Sequence, residues 1–228
     1  MRKAARIWAV VMGLVVVGFA AKASADVVVL TFEGVGNFVP VGSFYDGAGG
    51  PDFNIIFSSN SLGLIDADAG GGGNFGHEPS PDTILFFLTG GASTMNVPSG
   101  FDTGFSFFYS AVNSPGSIRV WDGLDGTGTL LASLDLPVTP SDGGDPTGSF
   151  SPFFPVGVAF DGIAKSVDFA GTENQIGFDN ITLGASIPGD GDGSGKPVVP
   201  EPASMLLFGL GTVGVGLVRR SRRKSVCA

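Results

Sequence analysis

The stretch Ser117-Ile-Arg-Val-Trp-Asp-Gly-Leu-Asp-Gly-Thr-Gly-Thr-Leu-Leu-Ala-Ser-Leu-Asp-Leu136 reads as two strands and a tight connection. Ile118 and Val120 alternate with Arg119, the period of a strand with one buried face. Asp122-Gly123 and Asp125-Gly126 then break the pattern just before Thr129, which marks a hairpin or tight loop. The same grammar recurs along the chain. Strands are expected at 27–32, 53–58, 62–65, 83–89, 104–109, 117–121, 129–136, 157–160, 164–169 and 175–183. No stretch between Asp26 and Gly195 carries a 3.6-residue apolar period over 11 residues or more. Many short strands without helices specify an all-β domain, and a β-sandwich of jelly-roll type is the expected architecture.

Residues 26–195 contain 32 Gly and 18 Phe. Disordered chains are poor in aromatics, so the glycines are read as turns joining strands around a phenylalanine-rich core. Two segments are expected outside that core. One is a mobile loop from Asp66 to Pro81, with four consecutive glycines at 70–73. The other is an irregular region from Pro137 to Pro155.

The ends differ in kind from the middle. Arg2, Lys3 and Arg6 precede an uncharged run, Ile7 to Ala21, and Ala23-Ser24-Ala25 supplies the small residues that signal peptidase needs for cleavage. Residues 1–25 are therefore expected to be a signal peptide, with Asp26 the first mature residue. A second apolar run, 203–218, is about 24 Å long as a helix, against a hydrocarbon core of ~30 Å. Arg219, Arg220, Arg222, Arg223 and Lys224 follow it and would remain cytoplasmic, leaving everything before it outside. The expected order is thus a signal peptide, a β domain at 26–187, a Gly/Asp-rich linker at 188–199 and a sorting signal at 200–224.

Between residues 26 and 195 there are 20 acidic side chains and two basic ones, Arg119 and Lys165, a net charge of −18. The tails hold most of the positive charge and mask this in the whole-chain value of −9. Such a field argues against nucleic acid and anionic lipid as partners. The single cysteine, Cys227, lies in the tail, so the domain has no disulfide. His77 is the only histidine, which excludes a histidine-rich zinc site. Calcium suits the abundant carboxylates and the glycine turns that let carbonyls converge. Asp66-x-Asp68 with Asn74, and Asp190-x-Asp192-x-Ser194, echo calcium loops without the closing Glu. Trp121 shares the parity of Arg119, opposite Ile118 and Val120. It is expected on the solvent side, where a flat ring could stack on a sugar.

The C-terminal residues VVPEPASMLLFGLGTVGVGLVRRSRRK resemble the PEP-CTERM sorting signal of Gram-negative bacteria, with Pro200-Glu201-Pro202 as its motif. That resemblance implies recognition by a membrane-embedded exosortase, removal of the helix, and export to the surface or extracellular matrix. Residues 101–136 and the closing QIGFDNITL are similar to the non-catalytic β-sandwich domains of exported bacterial proteins, some of which bind carbohydrate. In such modules a structural calcium often sits where first and last strands meet, which implies Glu33 and Asp179 as its ligands. The apolar pattern is unusual there: Ile176 and Phe178 have one parity, Ile181 and Leu183 the other. A bulge at Asp179-Asn180 would let all four face the core. The expected function is a non-catalytic surface or matrix protein contacting calcium or glycan. The alternative is a secreted polysaccharide hydrolase using a carboxylate pair.

Overall fold

In the computed structural model, residues 27–141 and 148–189 are described. The signal peptide, the sorting motif and helix 203–218, and all of the linker except Pro188 and Gly189, lie outside them. Eleven strands form: β1 (Val28–Leu30), β2 (Ile56–Phe57), β3 (Ser61–Ile65), β4 (Thr83–Phe87), β5 (Ala92–Phe101), β6 (Gly104–Ser110), β7 (Gly116–Trp121), β8 (Leu130–Leu136), β9 (Phe154–Ala159), β10 (Ala164–Gly171) and β11 (Gly177–Leu183). They make two antiparallel sheets. One runs β3-β4-β11-β6-β9, with β1 also on β11; the other runs β2-β5-β10-β7-β8. Among the described residues no helix is long and apolar enough to cross a membrane.

The space between the sheets is filled by phenylalanine. Phe105 and Phe107 of β6, Phe169 of β10 and Phe178 of β11 are fully buried. They meet edge to face, with Phe169–Phe178 centroids 5.1 Å apart and Phe107–Phe178 5.7 Å. Edge-to-face rings set the positive rim of one against the negative face of the next, worth about 0.5–1.5 kcal/mol per pair beyond burial. With no disulfide available, this cluster carries the cohesion of the domain.

Two sequence expectations need correction. The segment 66–81 is tethered rather than free: Asp66, Gly73, Phe75, Gly76 and Ser80 are buried, while Ala67 to Gly70 stay exposed. All five residues of β4 are buried, because Leu85 and Phe87 enter the main core while Ile84 and Phe86 face the other way. Phe75 and Phe153 roof that second cluster, edge to face at 6.2 Å. The two loops are hydrogen-bonded together, Ser149 N–H to Asn74 C=O at 2.7 Å and Gly76 N–H to Phe150 C=O at 3.2 Å. The glycine and proline content signals the absence of regular structure, whereas a buried aromatic and a few backbone hydrogen bonds hold the loop down.

The second correction is β5, a ten-residue strand absent from the expected set. It carries Pro98, which cannot donate to a ladder. The partner β10 shifts register at that point: Asn96 pairs with Ser166 and Phe101 with Ala164, so residues 97–100 bow out where no partner needs a donor. Pro155 is accommodated differently. Its strand, β9, closes the edge of the six-stranded sheet, where one side of the backbone has no neighbour. The expected strand 53–58 shortens to β2, since Asn54 adopts a left-handed backbone (φ 54°) that ends any extended run.

Phe178 touches both sheets through Phe107 and Phe169. Phe178→Ala is expected to cost about 3–5 kcal/mol. Urea unfolding followed by far-ultraviolet circular dichroism measures it, and a cost under 1 kcal/mol would place the cohesive centre elsewhere.

Candidate functional site: an oxygen cage at the bulge of the last strand

β11 has β6 along one edge, but its other edge is shared. β4 holds the first part through Phe178↔Leu85, and β1 holds the last part through Leu30↔Ile181 to Val28↔Leu183. Both neighbours are antiparallel to β11, so the end of β1 and the start of β4 approach each other over Asp179-Asn180. The register against β6 shifts between Asp179 and Thr182. Ile176, Phe178, Ile181 and Leu183 all lie in the main core, as their mixed parity requires. Asn180 absorbs the irregularity with a left-handed backbone, φ 45°, a conformation asparagine tolerates better than most residues.

This hand-over brings Glu33 and Asp179 to one place, with Ser80 between them. Five acceptor oxygens surround the Ser80 hydroxyl. Both Asp179 carboxylate oxygens are at 2.8 Å, the Thr31 carbonyl at 3.0 Å, Glu33 Oε1 at 3.4 Å and the Thr83 carbonyl at 3.5 Å. A hydroxyl has one proton to give, so it can satisfy one of the five. The carboxylates are pinned from behind. Asp179 accepts the Ser80 and Asn180 amides at 2.8 and 2.7 Å, and Glu33 Oε1 accepts the Asp82 and Thr83 amides at 3.0 and 2.8 Å. Asn180 is fully buried and its Oδ1 has no partner. The result is a concentration of oxygen in which the two carboxylates accept four backbone amides, while the Thr83 hydroxyl lies 3.3 Å from Glu33 Oε2 and the two carbonyls face the Ser80 hydroxyl.

Burial pushes the Asp179 carboxyl up to about 8, with the neighbouring Glu33 charge adding to the rise and the Ser80 and Asn180 donors opposing it. Tyr45 stands at the same corner, its hydroxyl accepting the Phe32 amide at 2.7 Å. Burial first, and then the charges of Asp179 and Glu33, raise its phenol well above the ordinary tyrosine value. Both shifts have burial as their main cause, with the neighbouring carboxylates adding to it.

Among the described residues no three Asp, Glu, His or Cys side chains converge on a metal site. The cage instead combines two carboxylates with backbone carbonyls and a hydroxyl, a donor set suited to a hard cation such as Ca²⁺. The crowd of acceptors around the Ser80 hydroxyl fits such an ion. Ser80, Thr31 and Thr83 were not among the residues expected from sequence. No local pattern marks them, since they meet only because β1 and β4 share an edge of β11.

The other expected sites fare differently. Asp66 is buried and its Oδ1 accepts the Ala67 amide, while Asp68 and Asn74 are exposed. Asp190, Asp192 and Ser194 lie outside the described residues, as do Pro200, Glu201, Pro202, Arg219, Arg220, Arg222 and Arg223. Trp121 does lie on the outer face of the five-stranded sheet, but it is half-buried rather than open. Its indole N–H donates to Asp168 at 3.1 Å, and the 122–129 connection folds over that face through Gly126 N–H to Ser166 at 3.0 Å. His77 Nδ1 is 2.9 Å from Ser151 Oγ, a pairing of the kind that activates a serine, yet Ser151 is fully buried. The contact continues the fastening between the two loops.

The site thus belongs to a two-sheet, all-β protein with an acidic domain and a polar cage on its last strand. Residues 198–223 match the PEP-CTERM protein-sorting motif. The chain therefore carries an exosortase-type sorting signal, which implies export and a C-terminally anchored form before processing. No curated protein of similar sequence was found. Among solved structures the chain is similar to CsCBM6-3 from Clostridium stercorarium in complex with cellobiose, at 18% identity and TM-score 0.34, covering 55% of this chain and 82% of that one. A carbohydrate-binding module from Cellvibrio mixtus lichenase 5A in complex with cellotriose gives 14% identity and TM-score 0.31, covering 57% and 88%. The K1 cleaved adhesin domain of Lys-gingipain from Porphyromonas gingivalis W83 gives 13% and 0.39, covering 70% and 98%. At these TM-scores the likenesses carry no conclusion about ligand.

The raised Asp179 carboxyl has a measurable consequence. The folded protein keeps this proton up to about pH 8, whereas an unfolded chain loses it near pH 4. Between those values the native state binds more protons, so Asp179 contributes stability at low pH that is lost as pH rises toward 8. In EDTA, wild type should lose stability relative to Asp179→Asn between pH 5 and pH 9, read from urea midpoints. A difference that does not change with pH would mean the carboxyl is ionised throughout.

Proposed function

We propose that the jelly-roll-type domain is a non-catalytic module of the cell surface or extracellular matrix, stabilised by a calcium ion held between its first and last strands. The observation that carries this is the cage. Five acceptor oxygens face one hydroxyl, and a divalent cation would neutralise the excess that a proton on Asp179 otherwise relieves. Glu33 and Asp179 would hold the ion through their carboxylates, with the carbonyls of Thr31 and Thr83 beside them. The ion would supply cohesion in a domain that has no disulfide.

The alternative, a hydrolase acting through two carboxylates, is poorly served by this pair. Asp179 is fully buried, and both carboxylates already accept backbone amides. Asp179 presents no surface to a glycosidic oxygen, and only Glu33 is half-exposed. The strongly acidic exported domain fits a solvated matrix protein better. The sorting motif supports the same placement: processing would release the domain outside the inner membrane. Its glycan contact, on this reading, is the outer face of the five-stranded sheet, where Trp121 keeps part of its ring accessible.

Extracellular calcium modules bind at about 10⁻⁴–10⁻³ M. At the tight end of that range, 10 mM calcium stabilises by about 2.7 kcal/mol, or roughly 5–10 °C in melting temperature for a domain of this size. The shift should vanish with EDTA and in Glu33→Gln and Asp179→Asn. Because the ion displaces the Asp179 proton, affinity should climb as pH rises from 6 to 8. An unchanged melting curve at 10 mM calcium sinks the cation reading. Glycan binding is tested separately by affinity electrophoresis in extracellular polysaccharide, where Trp121→Ala should run faster than wild type; equal mobility removes this residue from any glycan site.

A further inference from the structure

Just past β11 the chain is stitched first onto β6 and then onto the strand it has left. Gly184 N–H donates to Gly104 C=O at 3.0 Å, and the Ser106 hydroxyl donates to Ala185 C=O at 2.9 Å. The last stitch is at Gly189. Its N–H donates to Thr182 Oγ1 at 3.0 Å, and its C=O accepts the Asn180 side-chain amide at 3.1 Å. Thr182 Oγ1 in turn donates to Asn180 C=O at 2.9 Å. Asn180, Thr182 and Gly189 therefore close a ring of three hydrogen bonds, all buried. Gly189 is required by space as well: a Cβ there would lie 2.7 Å from Val29 Cγ2. The residue is wedged onto the β1–β11 pair.

Asn180 is also the neighbour of the cage. Its backbone N–H donates to Asp179 Oδ1 at 2.7 Å. Its left-handed backbone is the bulge that aims Asp179, and its own Oδ1 has no partner, so the side chain is held from one end only. One residue thus fixes an Asp179 oxygen with its amide and the end of the docked chain with its side chain. A change in where the Asp179 carboxylate sits cannot leave Asn180 untouched, and Asn180 is half of the clamp on Gly189.

We infer that the cage and the clamp are one coupled unit: a divalent cation between Glu33 and Asp179 tightens the hold of Asn180 and Thr182 on Gly189, and so fixes where the linker to the sorting motif leaves the domain. The inference rests on the cation reading of the cage and adds to it a role in presenting the C-terminal signal. Ten residues, 190–199, separate Gly189 from Pro200, a span of at most about 36 Å. The exit point sets where on the domain that tether begins. Coupling of this kind is reciprocal, so the clamp must strengthen cation binding by the factor by which the cation strengthens the clamp.

The experiment uses the full chain in detergent micelles, with calcium chloride alone as the probe. Amide hydrogen exchange of the segment containing Gly189 is followed by mass spectrometry with and without 10 mM calcium, alongside calorimetric titration of calcium. Calcium should slow exchange at Gly189 at least ten-fold. Asn180→Ala and, from the opposite side, Gly189→Ala should abolish that slowing and weaken calcium binding by a similar factor. Gly189→Ala leaves the bulge intact, so it serves if Asn180→Ala fails to fold. Calcium bound without a change at Gly189 overturns the coupling and spares the cation site. No heat of binding and no thermal shift overturns both.

Discussion

One edge of one strand organises this domain. β11 is hydrogen-bonded to β6 on one side, while its other side passes from β4 to β1 at Asp179-Asn180. Two strands ending against the same edge leave a gap in the ladder. Polar groups in such a gap must be satisfied by side chains, or they cost free energy. Glu33, Ser80 and Asp179 do this work, each carboxylate accepting two backbone amides. The oxygen cage is the by-product of closing the seam.

The cage raises a second constraint. A buried carboxylate in the company of another is destabilised as an anion, and it must be relieved by a proton or by a cation. The same acceptor-rich corner reaches Tyr45 through its contact with Phe32, which sits fully buried in the phenylalanine core. Charge at the rim and packing at the centre therefore meet across a single residue, since Phe32 is edge to face with both Tyr45 and Phe57. The carboxylate cluster and the aromatic core are neighbours in this fold rather than separate features.

Much of this was legible in the chain and some was not. The parity change from Ile176 and Phe178 to Ile181 and Leu183 signalled the bulge, because a strand cannot bury both pairs without an extra residue between them. The pairing of Glu33 with Asp179 was reachable only through resemblance, since 146 positions separate them and no spacing rule connects first and last strands. β5 was missed because Pro98 breaks the local pattern, and the tolerance for it comes from a bow opposite β10 that sequence does not display. The 66–81 loop was misread for the opposite reason: its composition speaks of turns, while Phe75 and hydrogen bonds to residues 149–151 fasten it.

What the sequence by itself determined is what depends on neighbours along the chain. Alternation and turn residues mark most of the strands. Pro200-Glu201-Pro202 with its arginine tail dictates sorting, as the family match at 198–223 bears out. Only the tertiary structure decided which strands share an edge, and so which oxygens crowd the Ser80 hydroxyl and which carbonyl Asn180 holds. Local propensity acts within a few residues, whereas strand adjacency is settled by burying the phenylalanine faces of two sheets at once. The cage is made of groups that this burial brought together and that no local rule could have paired.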